Sequence, residues 1–135
     1  MYNNAAFNKV AFVIGSNYGD EGKGQTTRDV VERLVKNGEV VLNVRYGGSA
    51  QAGHTVVADG QRIVYKHFGA GSFLADTYLG KDFIVNPIFF QEEYNNLFWK
   101  GNTKNCYISP DCIITTPEMM TLNQLAEVKR GASAH

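Results

Sequence analysis

Asp20, Lys23 and four glycines, Gly15, Gly19, Gly22 and Gly24, stand within ten residues of one another. A glycine-rich turn with one carboxylate and one ammonium is suited to holding phosphate and a hard cation. Glycine lets backbone approach a ligand and permits positive φ. Lysine adds a point charge to the cradle, and carboxylate oxygen suits Mg²⁺. The turn is not a Walker A loop, which reads G-x-x-x-x-G-K-[ST]. Gly22-Lys23 fits that pattern, but Asn17 stands where the first glycine belongs and Gly24 where the hydroxyl belongs. A cation ligand must therefore come from elsewhere, and Asp20 lies inside the loop. Taken alone, the same residues also describe an ordinary surface turn.

A second stretch, Gly47-Gly48-Ser49-Ala50-Gln51-Ala52-Gly53-His54-Thr55, places a histidine between glycine and threonine. Imidazole has an ordinary pKa near neutrality, which suits a proton or hydrogen-bond donor to phosphoryl oxygen. By itself such a histidine is more often a satisfied turn residue.

The elements that would position these residues can be read from periodicity. Val10–Ile14 is short and continuously apolar, as in a strand covered on both faces. Val30, Val31, Leu34 and Val35 have helical spacing, and the helix is expected to end near Asn37 with Gly38 behind it. There the free N–H groups of a helix N-terminus would meet an anion. Val40–Val44 reads as a second buried strand, completing a parallel βαβ unit. Thr55–Ala58 and Arg62–His67 flank Asp59-Gly60 as a hairpin. Gly69–Phe73 is a loop near the ligand, and Phe83–Val85 a third buried strand. Pro87 opens a helix that Gly101 ends. Cys106–Ile108 is a short strand. Thr116 caps a helix beginning at Pro117, with Met120, Leu122, Leu125 and Val128 along it, and Gly131 to Ala134 lead into a loop. The expected fold class is α/β: a parallel sheet with helices on both faces, P-loop-like, plus a β-hairpin. His67 and Arg45 read as structural, the latter as a buried ion-pair partner, and Tyr18 as packing beside the loop.

Together, G-D-E-G-K-G at 19–24 and A-G-H-T at 52–55 resemble adenylosuccinate synthetase. Val44-Arg45-Tyr46 and Asp59-Gly60 fit the same pattern. The resemblance covers nearly the whole chain, which corresponds to about the first third of that family's length. It implies a ligase of purine biosynthesis. GTP would phosphorylate IMP at O6, and L-aspartate would displace the phosphate to give adenylosuccinate. Asp20 would take the N1 proton and bind Mg²⁺, with the carbonyl of Gly53 as a second metal ligand. His54 would donate to the transferring phosphoryl group. Gly19, Asp20, Glu21, Gly22, Lys23, Gly24 and Gln25 would hold phosphates, with Gly53, His54 and Thr55 beside the GTP. Asp20 to Lys23 and Gln51 to His54, with Ala52 between, would border the purine nucleotide monophosphate. The resemblance further implies a cytoplasmic enzyme, homodimeric when complete. Residues 1–135 would be the N-terminal part of one nucleotide-binding domain, with a separately encoded C-terminal portion as one arrangement.

The departures narrow the substrate. Ala50 and Gln51 replace the family's usual histidine and asparagine, and Gln25 its common lysine. With Lys66–Ser72 and Asn86–Phe89, they resemble the divergent, viral-type branch. Some members of that branch join aspartate to (d)GMP, giving a 2-amino-adenylosuccinate nucleotide, and ATP can then stand in for GTP. Retention of Asp20, which would crowd a 2-amino group, points to IMP. The competing readings are a non-catalytic nucleotide-binding fragment and a P-loop-like NTPase of other purpose. Neither needs both Asp20 and His54.

Composition agrees with an ordinary globular domain: 44% apolar and 19% charged over 135 residues. Thirteen basic and thirteen acidic residues cancel, which argues against nucleic acid held through phosphate neutralisation. No apolar run is long enough for a membrane helix. Cys106 and Cys112 lack zinc-site spacing and read as buried or partly buried thiols.

Overall fold

The computed structural model describes residues 9–16, 19, 21–58, 60–102 and 104–131. Expectations for residues 1–8, Tyr18, Asp20, Asp59 and the 132–134 segment lie outside the described residues.

Three helices form where the periodicity placed them. Helix α1 spans Lys23–Lys36, with Val31 buried and Arg33 and Lys36 in its basic last turn. Its end is a Schellman turn. Gly38 N–H donates to the Val35 carbonyl at 2.9 Å and Glu39 N–H to Leu34 at 3.0 Å, with Gly38 at φ 79°. Helix α2, Pro87–Trp99, opens on Asn86, whose side chain accepts from the N–H groups of Ile88 and Phe89. It closes on Gly101 by the same turn. Helix α3, Pro117–Arg130, opens on Thr116, whose hydroxyl accepts from Met119 N–H.

The main sheet is parallel throughout. Strand β1 is Leu42–Ser49, β4 is Asp76–Val85, β5 is Cys106–Ile108 and β6 is Ile113–Ile114. β4 is central, pairing β1 on one edge and both β5 and β6 on the other. The β1–β4 register runs Leu42↔Asp76 to Arg45↔Leu79, then shifts to Gly47↔Asp82, so β4 carries one extra residue there. Leu79, Phe83 and Val85 of β4 form one apolar cluster, with Cys106 and Cys112 against it. Both cysteines are free. A separate antiparallel hairpin, β2 (His54–Ala58) with β3 (Gln61–Tyr65), turns through Gly60 at φ 73°. Val56 and Tyr65 of this hairpin pack with Phe68, Ala70 and Leu97 in a second cluster.

Three expectations are corrected. Val10–Ile14 is not a strand: Val10, Phe12 and Ile14 are 75, 81 and 82% exposed. The sheet hydrogen bonds run from β1 to β4, not to this stretch, so its apolar pattern is not used in a sheet. The parallel βαβ unit that depended on it is absent among the described residues. The second strand begins at Leu42 and extends to Ser49, and Val40 and Val44 are exposed rather than covered. β6 was not foreseen, because two isoleucines carry no periodicity.

Candidate functional site

Gly22 is the N-cap of α1, with φ 80° and ψ 27°, in the left-handed region that a side chain resists. No side chain caps α1, and no acidic residue lies in its first turn. Its first N–H groups have no partner within the helix. Gly19, also at positive φ, supplies a carbonyl 3.4 Å from Lys23 Nζ. The same ammonium lies 2.6 Å from Glu21 Oε2.

The first turn of α1 rests on β2. Gly24 is buried, and a Cβ added there would stand 2.6 Å from the Thr55 carbonyl oxygen and 3.2 Å from His54 Cβ. Only a residue without a side chain admits that approach. One position on, the Gln25 Oε1 accepts from Val57 N–H at 3.0 Å. Lys23-Gly24-Gln25 and His54-Thr55, far apart in sequence, thus form one surface.

His54 opens β2 opposite Tyr65 and is half-buried. Its pKa lies below the ordinary 6.5, chiefly because burial disfavours the cation, with Arg45 and then Lys23 repelling a proton as well. The expectation of an unshifted histidine is corrected accordingly. Thr55 Oγ1 accepts from Arg62 at 3.5 Å. Gln51, Ala52 and Gly53 form the exposed turn before β2, where Gln51 N–H donates to Ser49 Oγ at 3.3 Å and Ala52 N–H to the Ser49 carbonyl at 3.2 Å. Ala50 is 6% exposed.

Asp20 lies outside the described residues, so its place relative to Lys23 and His54 is not part of this geometry. Among the described residues, no three His, Cys, Asp or Glu side chains gather as a metal cluster. The carbonyl of Gly53 is oxygen, the right donor type for Mg²⁺, but one carbonyl does not make a site. The described donors by themselves do not complete a cation site. Two cavities, of about 110 and 230 Å³, flank β3, and neither is lined by residues 19–25 or 51–55.

Behind the hairpin lies a polar anchor that sequence reading missed. Glu93 of α2 is buried, and its carboxylate accepts from the backbone N–H groups of Lys66, His67 and Phe68 at 2.9, 2.7 and 3.2 Å. His67, 0% exposed, places Nδ1 3.1 Å from Glu93, and its Nε2 accepts from Asn86 N–H. That pattern assigns the proton to Nδ1. The signal was available: Glu93 falls on the Phe90–Leu97 face of an otherwise apolar helix pattern, where an unpaired charge would be costly. Arg45 is buried as expected, but its guanidinium donates to the Phe68 carbonyl at 3.4 Å and lies 5.0 Å from the Phe83 ring centroid. Burial lowers its pKa, and Glu93 opposes that through space. Among the described residues, no helix is long and apolar enough to cross a membrane.

Comparison with known proteins bears on this surface. The family described as adenylosuccinate synthetase matches residues 12–135. The adenylosuccinate synthetase of Halothermothrix orenii is 35% identical over 127 residues, covering 92% of this chain and 28% of its own length. That of a Cyanothece species is 36% identical over 123 residues, covering 89% and 26%. The structure of fully ligated adenylosuccinate synthetase from Plasmodium falciparum aligns with a TM-score of 0.71 at 21% identity, over 86% of this chain and 26% of that one. The chain spans 28% of the length of the first of these relatives. The family match takes in both motifs that the fold brings into contact, and the aligned architecture is the same: this chain belongs to the adenylosuccinate synthetase family.

Proposed function

We propose that this chain supplies the phosphate-holding and hydrogen-bond-donating part of an adenylosuccinate synthetase-type ligase. The observation that carries the reading is the packing of Gly24 on the His54–Thr55 backbone. It sets an uncapped helix N-terminus and an imidazole on one surface, as phosphoryl transfer needs. In the reaction, the γ-phosphoryl group of GTP passes to O6 of IMP and GDP leaves. The amino group of L-aspartate then attacks C6 and inorganic phosphate departs.

The backbone from Gly19 to Gln25 and the Lys23 ammonium hold the transferring phosphate. His54, kept neutral at physiological pH by burial and its cationic neighbours, donates an N–H to a phosphoryl oxygen. Asp20 takes the N1 proton, which makes O6 nucleophilic. Mg²⁺, when bound, supplies neutralisation of phosphate charge. IMP is the substrate in this reading. Retention of Asp20, which would crowd a 2-amino group, supports the reading. The complete enzyme is a homodimer, with the remainder of the family's length in the same or a second polypeptide.

The test is to join residues 1–135 to the remaining portion of a synthetase and follow adenylosuccinate from GTP, IMP, Mg²⁺ and aspartate. Product formation that His54→Asn removes supports the reading. Product formation indifferent to His54 overturns it. Competition of IMP against dGMP, with GTP and ATP both present, decides the purine, and a kcat/KM favouring dGMP would sink the IMP assignment.

A further inference from the structure

Lys23, the cation of the phosphate loop, already holds an anion. Its Nζ lies 2.6 Å from Glu21 Oε2, and the two side chains are 30% and 20% exposed. Backbone closes over the pair. A Cβ on Gly15 would stand 2.5 Å from Lys23 Nζ and 3.0 and 3.1 Å from the two Glu21 carboxylate oxygens. The pair is therefore a packed contact of the loop, not two side chains meeting in open solvent. Between them stands Gly22, the uncapped start of α1.

From this geometry we infer that Glu21 is an internal competitor for phosphate, an affinity-setting residue whose carboxylate a ligand must displace from Lys23. The inference rests on the phosphate-loop reading above. Binding is then an exchange. One ammonium–carboxylate contact breaks, Glu21 swings to solvent, and a phosphate oxygen takes its place on Lys23. A singly charged anion gains little, because it replaces one carboxylate by its equivalent. A di- or triphosphate gains more, because its further charges meet the N–H groups of the helix N-terminus. Glu21 thus lowers the loop's affinity for every anion that uses Lys23, and only a ligand with those further charges recovers the cost. The same contact keeps Lys23 paired when no ligand is bound.

The experiment is titration of this chain with inorganic pyrophosphate and, separately, with acetate, by calorimetry and amide chemical shifts. Glu21→Gln removes the competitor. It should tighten pyrophosphate binding by roughly two- to fivefold, the range of a partly exposed ion pair, and acetate binding by a similar factor. Lys23→Ala should weaken pyrophosphate binding in both the wild-type and Glu21→Gln backgrounds. Glu127→Gln, on α3, removes the same charge far from the loop in sequence and should leave the affinity unchanged. Thermal melts confirm that each variant is folded. Equal or weaker pyrophosphate binding by folded Glu21→Gln overturns the inference and leaves the phosphate loop standing. Equal tightening by Glu127→Gln also overturns it, since net charge would then be the cause. No pyrophosphate binding by any folded variant removes the phosphate-loop reading itself, and the inference with it.

Discussion

His54 is held below its ordinary pKa by burial first and by Arg45 and Lys23 second. The sign of its effect on stability follows. Between the lowered folded value and the usual 6.5 of the unfolded chain, the unfolded state binds more protons. The stability contributed by a neutral His54 is fully present above about 6.5 and is lost as pH falls through the folded value. Urea midpoints of wild type and His54→Asn should therefore diverge in their pH slopes between neutrality and mild acid. Parallel slopes would show that His54 is not perturbed. In the complete enzyme, His54→Asn should lower kcat with little change in nucleotide KM, because a donor to the transferring group acts in the transition state. The expected loss is about 10²–10³-fold, the size found for an oxyanion donor. A kcat within about threefold of wild type would remove His54 from the chemistry.

At the scale of elements, α1 is fastened to β2 by one absence and one hydrogen bond. Gly24→Ala gains helix propensity of about 1 kcal/mol. It also pushes a methyl to 2.6 Å from the backbone oxygen of Thr55, where no flexible side chain can yield. Overpacking of this kind costs about 1–3 kcal/mol, so the net change should be a lower Tm and a displaced His54–Thr55 amide pattern by NMR. A Tm at or above wild type would mean that the two elements separate easily. Glu93 fastens α2 to the segment after β3 through three backbone N–H groups and His67. Glu93→Ala leaves those donors without their acceptor at about 1–3 kcal/mol each. That sum is comparable with the whole stability of a domain, about 5–15 kcal/mol. The variant should lose its cooperative circular-dichroism melt. A melt within a few degrees of wild type would mean that water replaces the carboxylate at little cost.

At the scale of the molecule, apolar surface stands uncovered on more than one element. Val10, Phe12 and Ile14 are exposed, as are Leu122, Leu125 and Val128 of α3, a helix with no buried residue. The chain also spans only 28% of the length of its Halothermothrix orenii relative. This polypeptide by itself is therefore expected to form no adenylosuccinate from GTP, IMP, Mg²⁺ and aspartate, while binding a hydrophobic dye such as ANS. Product from the isolated chain would refute the first expectation, and dye fluorescence no higher than that of a compact control protein the second.

Local physics was legible before any coordinates. The helix start at Pro87, the cap at Thr116, the glycine stops at Gly38 and Gly101 and the turn at Gly60 each depend on a few adjacent residues, whose stereochemistry is the same in any fold. The pairing of G-D-E-G-K-G with A-G-H-T was legible too, because both strings lie in one chain at a particular spacing. What only the tertiary structure decided depends on distant partners. Val10–Ile14 has the composition of a buried strand, yet a strand forms only where it pairs with an edge, and the sheet runs β1-β4-β5 without it. The lowered pKa of His54 follows from its burial first and then from Arg45 and Lys23, which arrive from β1 and α1. The close approach of Gly24 to Thr55 has no trace in either motif read alone. Burial, field and contact are sums over residues that folding brings together, and no local window of sequence contains them.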